Sequence, residues 1–411
     1  MKILIMFKGG VETQEYFSVE MARTFESTGF KVYWYDMMLQ QESAKLLKDF
    51  YKMHLNDEFA AFTFNFNGIA GESGLYDDET GISFWDDAGI HVYNMVVDHP
   101  LYYHRYMKFV PQKYTQICID KNHVKYMKKY YKDIKFYGEN GFLPLGGTDL
   151  NESAHIFDNM DYEPMNRRRF DVVFTGNYTP QRYLDKSLEN VGKDYRDFYY
   201  SVIEEVISNP DSLIEDITER KIIQQVKSDA SDDEIREFMP QMMYVDLSVR
   251  FYFRAKVIKT LVDNGIKVNI CGAGWDMLKC EHPENIISIG NVDSRKCLEM
   301  ISQSKLSLNV MPWFKDGAHD RVFNSMLNGA VCVTDTSKYL KSNFTDNKNI
   351  VFYNLRDIER LVPVVKNLLK DDEKLQNIAD SAFHLCKKEH TWGNRAVRIG
   401  SLINEDFINK D

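Results

Sequence analysis

The sequence predicts an α/β protein with two domains, each built around a parallel, doubly wound sheet. Its 411 residues exceed what one typical hydrophobic core contains, so two domains are expected. Short apolar runs alternate with stretches of helical periodicity in both halves, which is the pattern of a parallel sheet covered by helices on both faces. We expect an N-terminal domain at 1–150, a C-terminal domain at 151–390, and a final helix at 391–411 that packs back toward the N-terminal domain.

The first domain begins with a continuous apolar run at Ile3–Phe7, which is typical of a strand buried on both faces. A helix is expected at 13–27, where Gly29 marks its end, and a second helix at 43–53. The strands predicted for this domain lie at 3–7, 31–35, 60–64, 91–97 and 114–118.

The second domain repeats this alternation after a polar connection at 151–169. A helical insert, rich in Glu, Lys, Ile and Tyr, interrupts it at about 183–245. The predicted strands lie at 171–174, 267–271, 285–289, 305–310 and 330–334. The predicted helices lie at 249–263, 295–302 and 321–327, and three more finish the chain, the last beginning near Trp392.

The composition indicates an ordinary globular protein without a general affinity for nucleic acid. Hydrophobic residues make up 44% of the chain and charged residues 27%. The net charge of −10 lacks the basic footprint that nucleic-acid binding requires. No segment approaches the ~18 apolar residues of a membrane span, and the run at 3–7 is too short for a signal peptide. We therefore expect a cytoplasmic location.

No metal site is expected from the sequence. The six cysteines lack metal-like spacing and are interpreted as buried thiols in a reducing compartment. No Asp-x-Asp pair ends a predicted strand, and no zinc-ligand spacing occurs. The acidic turns at 76–79 and 85–87 are expected to be solvated.

The segment 309–330, in which a strand leads into a helix, is the strongest candidate site, because ligands of parallel sheets bind beyond the carboxyl ends of strands. Asp320 is a suitable N-cap, and the free N–H groups of the following helix favour an anion. Arg321 adds a fixed cation for a diphosphate, and Asn324 lies one turn further, within reach of a ribose or sugar hydroxyl. The alternative is a capped amphipathic helix whose Arg321 pairs with a carboxylate. The binding residues assigned to this segment are Met311, His319, Asp320, Arg321, Val322 and Asn324.

Two glycine turns follow other predicted strands. Gly272 and Gly274 would let the backbone approach a ligand, and Trp275 would line a base pocket. The alternative is a tight turn with a core tryptophan. Gly9 and Gly10 form a similar loop after the first strand, and its alternative is a plain turn.

Polar residues end two further strands. Asp98 and two histidines follow one of them, and His99 or His104 would hydrogen-bond a sugar or act as a base. The alternative for each histidine is a helix cap or a satisfied surface group. Asn177 and Tyr178 end the first strand of the second domain and would contribute to the same site. Arg254, one turn after Arg250, would face phosphate, and a solvated helix face is the alternative.

Several of these segments resemble the group-1 glycosyltransferases of the CgeB-like (spore-maturation-protein-like) type. The resemblance lies in His319–Asp335 and Gly272–Trp275, and in N-terminal pieces at 64–68, 98–100 and 143–147. It implies a GT-B fold, a nucleotide-sugar donor bound mainly by the C-terminal domain, and metal-independent transfer with retention of anomeric configuration. The family's Arg-x-Phe-Glu segment, whose glutamate holds the donor ribose, corresponds here to Arg321–Asn324, so an amide replaces the acid.

The expected function is therefore transfer of a hexosyl or N-acetylhexosaminyl group from a nucleotide-sugar, UDP-linked, to a protein or glycan acceptor. Arg321 would hold the diphosphate, and His99 and Asp98 would act from the N-terminal domain, beside Gly9 and Gly10. No other cofactor is expected. One alternative is an impaired homologue that binds the nucleotide-sugar without turnover. Another is an NAD-dependent oxidoreductase, which the incomplete glycine fingerprint disfavours.

Overall fold

The structure is a computed structural model that falls into two compact units. The described residues are 1–154, 161–226 and 230–409. The N-terminal unit consists of Met1–Gly146 together with Trp392–Asp411, and the C-terminal unit is Gly147–Thr391.

The N-terminal unit contains a five-stranded parallel sheet with strand order β2-β1-β3-β4-β5. Its strands are β1 (Lys2–Lys8), β2 (Phe30–Asp36), β3 (Glu58–Phe64), β4 (His91–Val96) and β5 (Tyr114–Cys118). Its helices are α1 (Glu12–Ser27), α2 (Gln40–Met53), the short α3 (Phe84–Asp87) and α4 (Lys121–Tyr130). Five consecutive residues of β1 are buried, as a strand covered on both faces requires.

The C-terminal unit contains a six-stranded parallel sheet with strand order β11-β10-β9-β6-β7-β8. Its strands are β6 (Phe170–Thr175), β7 (Val268–Cys271), β8 (Ile286–Ser288), β9 (Ser304–Asn309), β10 (Val331–Thr334) and β11 (Val351–Phe352). Its helices are α5 (Leu150–Ala154), α6 (Gln181–Leu184), α7 (Lys193–Ser208), α8 (Ile214–Val226), α9 (Asp232–Phe238), α10 (Met242–Asp263), α11 (Ser294–Ser302), α12 (Asp320–Leu327), α13 (Lys338–Asn343), α14 (Leu361–Leu368) and α15 (Asp372–Glu389).

The last helix, α16 (Trp392–Ile408), belongs to the N-terminal unit. Trp392 is buried against Phe17 of α1, with the two ring centroids 4.3 Å apart, and against Phe64 of β3. The buried Arg395 donates from Nε to the carbonyl oxygen of Pro144, at 2.6 Å. These contacts fasten the helix to a sheet that lies far from it in sequence.

The helical insert does not end where the sequence predicted. The sequence predicted an insert to about 245 and a new helix at 249, but α10 runs without interruption from Met242 to Asp263. Val245, Val249, Val257 and Leu261 are all buried and recur at helical spacing across the predicted gap, and no glycine or proline interrupts them. The same helix therefore connects the insert to the strand β7.

Candidate functional site

The loops that follow β6, β7 and β9 meet at the carboxyl edge of the C-terminal sheet. Strand β6 pairs with β7 on one side and with β9 on the other, so the strand order reverses at β6. Such a reversal point is where open α/β sheets bind their ligands.

Arg321, at the start of α12, reaches across this edge. Its Nη1 donates to the carbonyl oxygen of Thr175, the last residue of β6, at 2.9 Å. Its Nε and Nη2 lie 3.2 and 2.8 Å from the two ring nitrogens of His319. Burial lowers the pKa of Arg321 to about 10, which leaves the guanidinium charged at neutral pH.

Arg254 approaches the same place from α10. It is only 5% exposed, and its Nη1 donates to the carbonyl oxygen of Asn177 at 2.8 Å. Its pKa is lowered by burial first, and then by the charges of Arg321 and Arg250, so the three guanidinium groups are electrostatic neighbours. Arg250 itself pairs with Asp246 at 2.8 Å and lies 3.9 Å over the Trp313 ring. We call these three residues the arginine cluster.

Two residues of the arginine cluster lack a directly paired carboxylate. Neither Arg254 nor Arg321 forms a salt bridge with a carboxylate in the described ranges, although the charges of Asp320 and Asp335 act on Arg321. The buried Nε of Arg254 also has no hydrogen-bond partner among the described residues. Because buried charges are normally paired, this arrangement is suited to an anionic ligand. The predicted alternative, an Arg321–carboxylate pair, is not what the described residues form.

The start of α12 differs from the prediction in two respects. His319, not Asp320, is the N-cap, and its Nδ1 accepts from the Arg321 N–H at 3.3 Å. The Val322 N–H donates to the His319 carbonyl oxygen at 3.1 Å, and the Val322 side chain is in the core. These two amides are therefore already engaged, and the positive charge offered to an anion is that of the arginines. Burial and the charge of Arg321 lower the pKa of His319 to about 4, so the capping ring is neutral at pH 7.

Asn324 and Met311 are held inside the C-terminal unit. The Asn324 side chain donates to Asp320 Oδ2 at 2.9 Å and accepts from the Thr148 N–H at 2.9 Å, so it ties the chain near residue 148 to α12. The side chain of Met311 is buried, and its N–H donates to Asp335 Oδ1 at 2.8 Å. Asp335 was missed by the sequence reasoning, although an acid directly after a buried apolar strand was a usable signal.

The loops after β6 and β7 are packed tightly against each other. A Cβ added at Gly272 would lie 2.2 Å from the Gly176 carbonyl oxygen, and one at Gly274 would lie 2.1 Å from the Tyr178 carbonyl oxygen. The two glycines are therefore required by the contact between the loops. Asn177 Oδ1 strengthens this contact by accepting from the Ala273 N–H at 2.9 Å.

Trp275 lies behind this turn as a core residue, which was the alternative to a base-pocket wall. It is 1% exposed, and its Nε1 donates to the Gly176 carbonyl oxygen at 2.8 Å. Its ring stacks on Tyr178 with centroids 5.2 Å apart. The aromatic surface accessible to a ligand is thus that of Tyr178, which is half-buried, with Trp275 holding it in place.

The N-terminal candidates follow β1 and β4 in the other unit. The Gly9 N–H donates to Glu15 Oε2 at 2.8 Å, and the neighbouring Gly10 is exposed. Asp98 accepts from the Tyr103 hydroxyl at 2.8 Å and from Asn65 Nδ2 at 3.0 Å.

His99 is buried and caps the 3₁₀ helix that begins at Pro100, accepting from the Leu101 N–H at 3.2 Å. The alternative prediction for His99, a helix cap, therefore describes its local structure. Asp98 and His99 are held by neighbours of their own unit, which gives them fixed positions at the carboxyl end of β4.

The described residues contain no group of three or more His, Cys, Asp or Glu side chains arranged to hold a metal ion. None of the described helices combines the length and apolar character that crossing a bilayer requires.

Comparison with known proteins bears on the C-terminal unit and on the fold. Residues 253–401, about a third of the chain, match a family model described as glycosyl transferase-like. This match includes Arg254, Arg321 and the whole of α12. No curated protein sequence matches the chain.

Solved structures of glycosyltransferases share the fold over the whole chain. Anabaena Alr3699/HepE in complex with UDP aligns with a TM-score of 0.53 at 10% identity, covering 100% of both chains. An alpha-glucosyltransferase in complex with UDP-glucose and DNA containing an abasic site aligns at 0.53 and 12%, covering 98% of this chain and 99% of that one. Sucrose-phosphate synthase from Thermosynechococcus elongatus aligns at 0.51 and 8%, again covering 100% of both. The predicted GT-B fold class, with two parallel-sheet α/β domains, is confirmed.

Proposed function

We propose that this protein is a CgeB-like glycosyltransferase that transfers a sugar from a UDP-linked donor to a protein or glycan acceptor. The observation that carries the proposal is the convergence of Arg254 and Arg321 at the carboxyl end of β6. Arg254 is buried and Arg321 is half-buried, and neither forms a salt bridge with a carboxylate among the described residues. Both belong to the segment that matches the glycosyl transferase-like family. The complexes of structurally similar proteins with UDP and UDP-glucose support a UDP-linked donor.

The arginine cluster would bind the diphosphate of the donor. Transfer breaks the bond between the anomeric carbon and a phosphate oxygen, and negative charge develops on that oxygen. Fixed guanidinium groups in a buried setting stabilise this charge more in the transition state than in the ground state. They would provide the positive charge in a metal-independent reaction. Such a site stabilises the charge on the leaving phosphate and does not depend on a strong base. A retaining mechanism would fit this arrangement.

The remaining assignments follow from the same position of the diphosphate. Tyr178, supported by Trp275, would stack on the base, and the turn at Gly272–Gly274 would shape the pocket beside it. Asn324 would reach a donor hydroxyl through the amide N–H that is not directed at Asp320. Asp98 and His99, with the loop at Gly9–Gly10, would contribute the acceptor side.

We propose a protein or glycan acceptor because of the charge of the chain. The alpha-glucosyltransferase with the same fold is seen with DNA, but a net charge of −10 opposes a DNA acceptor here. A reducing, cytoplasmic setting is proposed because the six cysteines form no disulfide.

Titration calorimetry with UDP, UDP-glucose, GDP-mannose and NAD tests the proposal, together with an assay of slow donor hydrolysis. We expect UDP and a UDP-sugar to bind and the sugar to be released slowly. Arg321→Ala should weaken UDP binding by about 10- to 100-fold, because one or two charge-assisted hydrogen bonds are lost. Its turnover should fall further, by roughly 100- to 1,000-fold, since the charge develops during the reaction.

Arg295→Ala provides the matched control, because this arginine lies in the same unit with its side chain 63% exposed. Binding of NAD alone would favour the oxidoreductase alternative. Binding of UDP-sugar without any hydrolysis or transfer would favour the impaired homologue. Unchanged UDP binding by Arg321→Ala would contradict the diphosphate assignment.

A further inference from the structure

A cavity lies beside α10, on a different face of this helix from the arginine cluster. It has a volume of about 640 Å³, within the range typical of small-molecule sites. Its walls come from the loop after β6, helix α7 of the insert, α10 and the segment after the β7 turn. The cavity lies entirely within the C-terminal unit.

Helix geometry places this cavity and the arginine cluster on different faces of α10. Ser248, Tyr252 and Ala255 line it and lie on one face of α10. Arg250 and Arg254 are each two residues from Tyr252, which places them about 160° around the helix axis from it. A ligand in the cavity would therefore contact a different surface of α10 from a diphosphate held by the arginine cluster.

The walls of the cavity are mainly aromatic and aliphatic. Tyr178, Tyr200, Phe251 and Tyr252 supply rings, and Ile203 and Ile207 of α7 supply aliphatic surface. Parts of this wall are held in place by their neighbours. Tyr178 stacks on the core residue Trp275, as described above. Gln181 donates to the Ser248 hydroxyl at 3.1 Å, which holds the start of α6 against α10.

The charged residues of the lining are all basic. Arg182, Lys256, Lys259 and Lys279 line the cavity, and no aspartate or glutamate of the described residues does. This excess is notable in a chain with 61 acidic and 51 basic residues. Lys259 is paired with Asp263. Lys256 and Lys279 form no hydrogen bond or ion pair with any described residue. The lining thus combines an apolar body with unneutralised ammonium groups.

We propose that this cavity binds an amphipathic organic anion, in which an apolar chain or aromatic ring carries a phosphate, sulfonate or carboxylate group. The ring or chain would lie against Tyr252 and Ile203. The anionic group would lie at Lys256 and Lys279. Apolar burial favours binding of the ring or chain, and charge complementarity favours an anion over a neutral ligand of the same shape.

Fluorescence titration with 1-anilinonaphthalene-8-sulfonate tests this proposal directly, because the probe is itself an aromatic anion. We expect saturable binding at one site. Displacement by dodecyl phosphate would identify an acyl-chain ligand, and displacement by 1-naphthyl phosphate an aromatic one. Either result supports the proposal, and 1-naphthol should compete about tenfold less well than 1-naphthyl phosphate because it lacks the charge.

Three variants locate the probe. Ala255→Trp should fill the cavity and abolish binding. The double substitution Lys256→Glu with Lys279→Glu should weaken binding about tenfold or more by reversing two charges. Lys341→Glu, which changes an exposed lysine elsewhere in the same unit, should leave binding within about twofold of wild type. Circular dichroism and thermal unfolding establish that each variant is folded, since this probe also binds partly unfolded proteins.

The proposal would be overturned by equal binding to wild type and the Ala255→Trp variant. It would equally be overturned if no organic anion bound saturably. Displacement by UDP, or loss of probe binding in Arg321→Ala, would place the probe at the arginine cluster and would also refute a separate site. None of these results depends on whether the protein transfers sugars.

Discussion

Replacing Asp335 by asparagine should stabilise the protein in a pH-dependent way. This carboxyl group follows β10, is 3% exposed and accepts a hydrogen bond from the Met311 N–H. Burial raises its pKa from 3.8 to about 7, and the opposing effects of Met311, Lys315 and Arg321 are smaller. The folded protein therefore binds a proton at Asp335 more tightly than the unfolded chain does.

The sign and size of the effect follow from proton linkage. The protonated carboxyl makes its full favourable contribution to the free energy of unfolding below pH 3.8, and this contribution is lost as the pH rises through 7. A shift of this size corresponds to about 4 kcal/mol in all, of which about 2.5 kcal/mol is lost between pH 5 and pH 8. Asparagine has nearly the same shape and can accept the same hydrogen bond, but it does not ionise. We therefore expect the free energy of unfolding of Asp335→Asn, relative to that of wild type, to rise by about 2.5 kcal/mol when the pH is raised from 5 to 8.

Urea unfolding followed by circular dichroism at pH 5, 6, 7 and 8 measures this difference. Asp276→Asn is the matched control, because Asp276 is an exposed carboxylate in the same unit. The pH-dependent gain is expected for Asp335→Asn and not for the control. A difference between Asp335→Asn and wild type that stayed constant from pH 5 to pH 8 would refute the reasoning.

Three further substitutions test the site and the loops around it. His319→Asn keeps a capping side chain but removes the imidazole whose pKa is lowered to about 4. Because the pKa of this histidine is lowered on folding, the free energy of unfolding of the wild type falls as the pH is lowered from 6.5 to 4. In urea unfolding the variant should lose about 3 kcal/mol less than wild type over that interval. Equal losses would contradict a neutral ring. Gly274→Ala should lower the free energy of unfolding by about 2 kcal/mol or more, because φ is +86° and the new Cβ would meet the Tyr178 carbonyl oxygen. Gly265→Ala, where φ is +78° and the space is open, should cost only the backbone strain. Equal shifts of the thermal unfolding temperature would refute the packing argument. Arg254→Lys keeps the charge but not the planar donor group, so calorimetry should show UDP binding about tenfold weaker, and wild-type affinity would count against a direct contact.

Much of the architecture was predictable because it depends on local pattern. Runs such as Ile3–Phe7 are buried on both faces, as their continuous apolar character predicted. The main errors also have local causes. The helix α4 was not predicted, although Asp120 caps it by accepting from the Asn122 N–H at 2.8 Å. Its many lysines and tyrosines obscured the buried positions Val124 and Met127.

The candidate site was only partly predictable. Arg321 and Arg254 could be chosen singly from their positions on helices near strand ends. Their proximity, their burial and the addition of Arg250 and Trp313 emerge only in the folded chain. The sequence reasoning assigned Trp275 to a ligand and Asp320 to the helix cap, whereas the structure assigns them to the core and to the first turn. Each of these outcomes depends on which neighbour arrives from elsewhere in the chain.

By itself, then, the sequence determined the fold class, most of the order of strands and helices and the strand ends where chemistry is expected, because these depend on residues close together along the chain. Tertiary structure alone decided that Arg254 and Arg321 meet across β6, since the sheet order brings β9 and β7 to its two sides. Burial at that meeting point, which no local pattern encodes, also decided the shifted pKa values of Asp335 and His319.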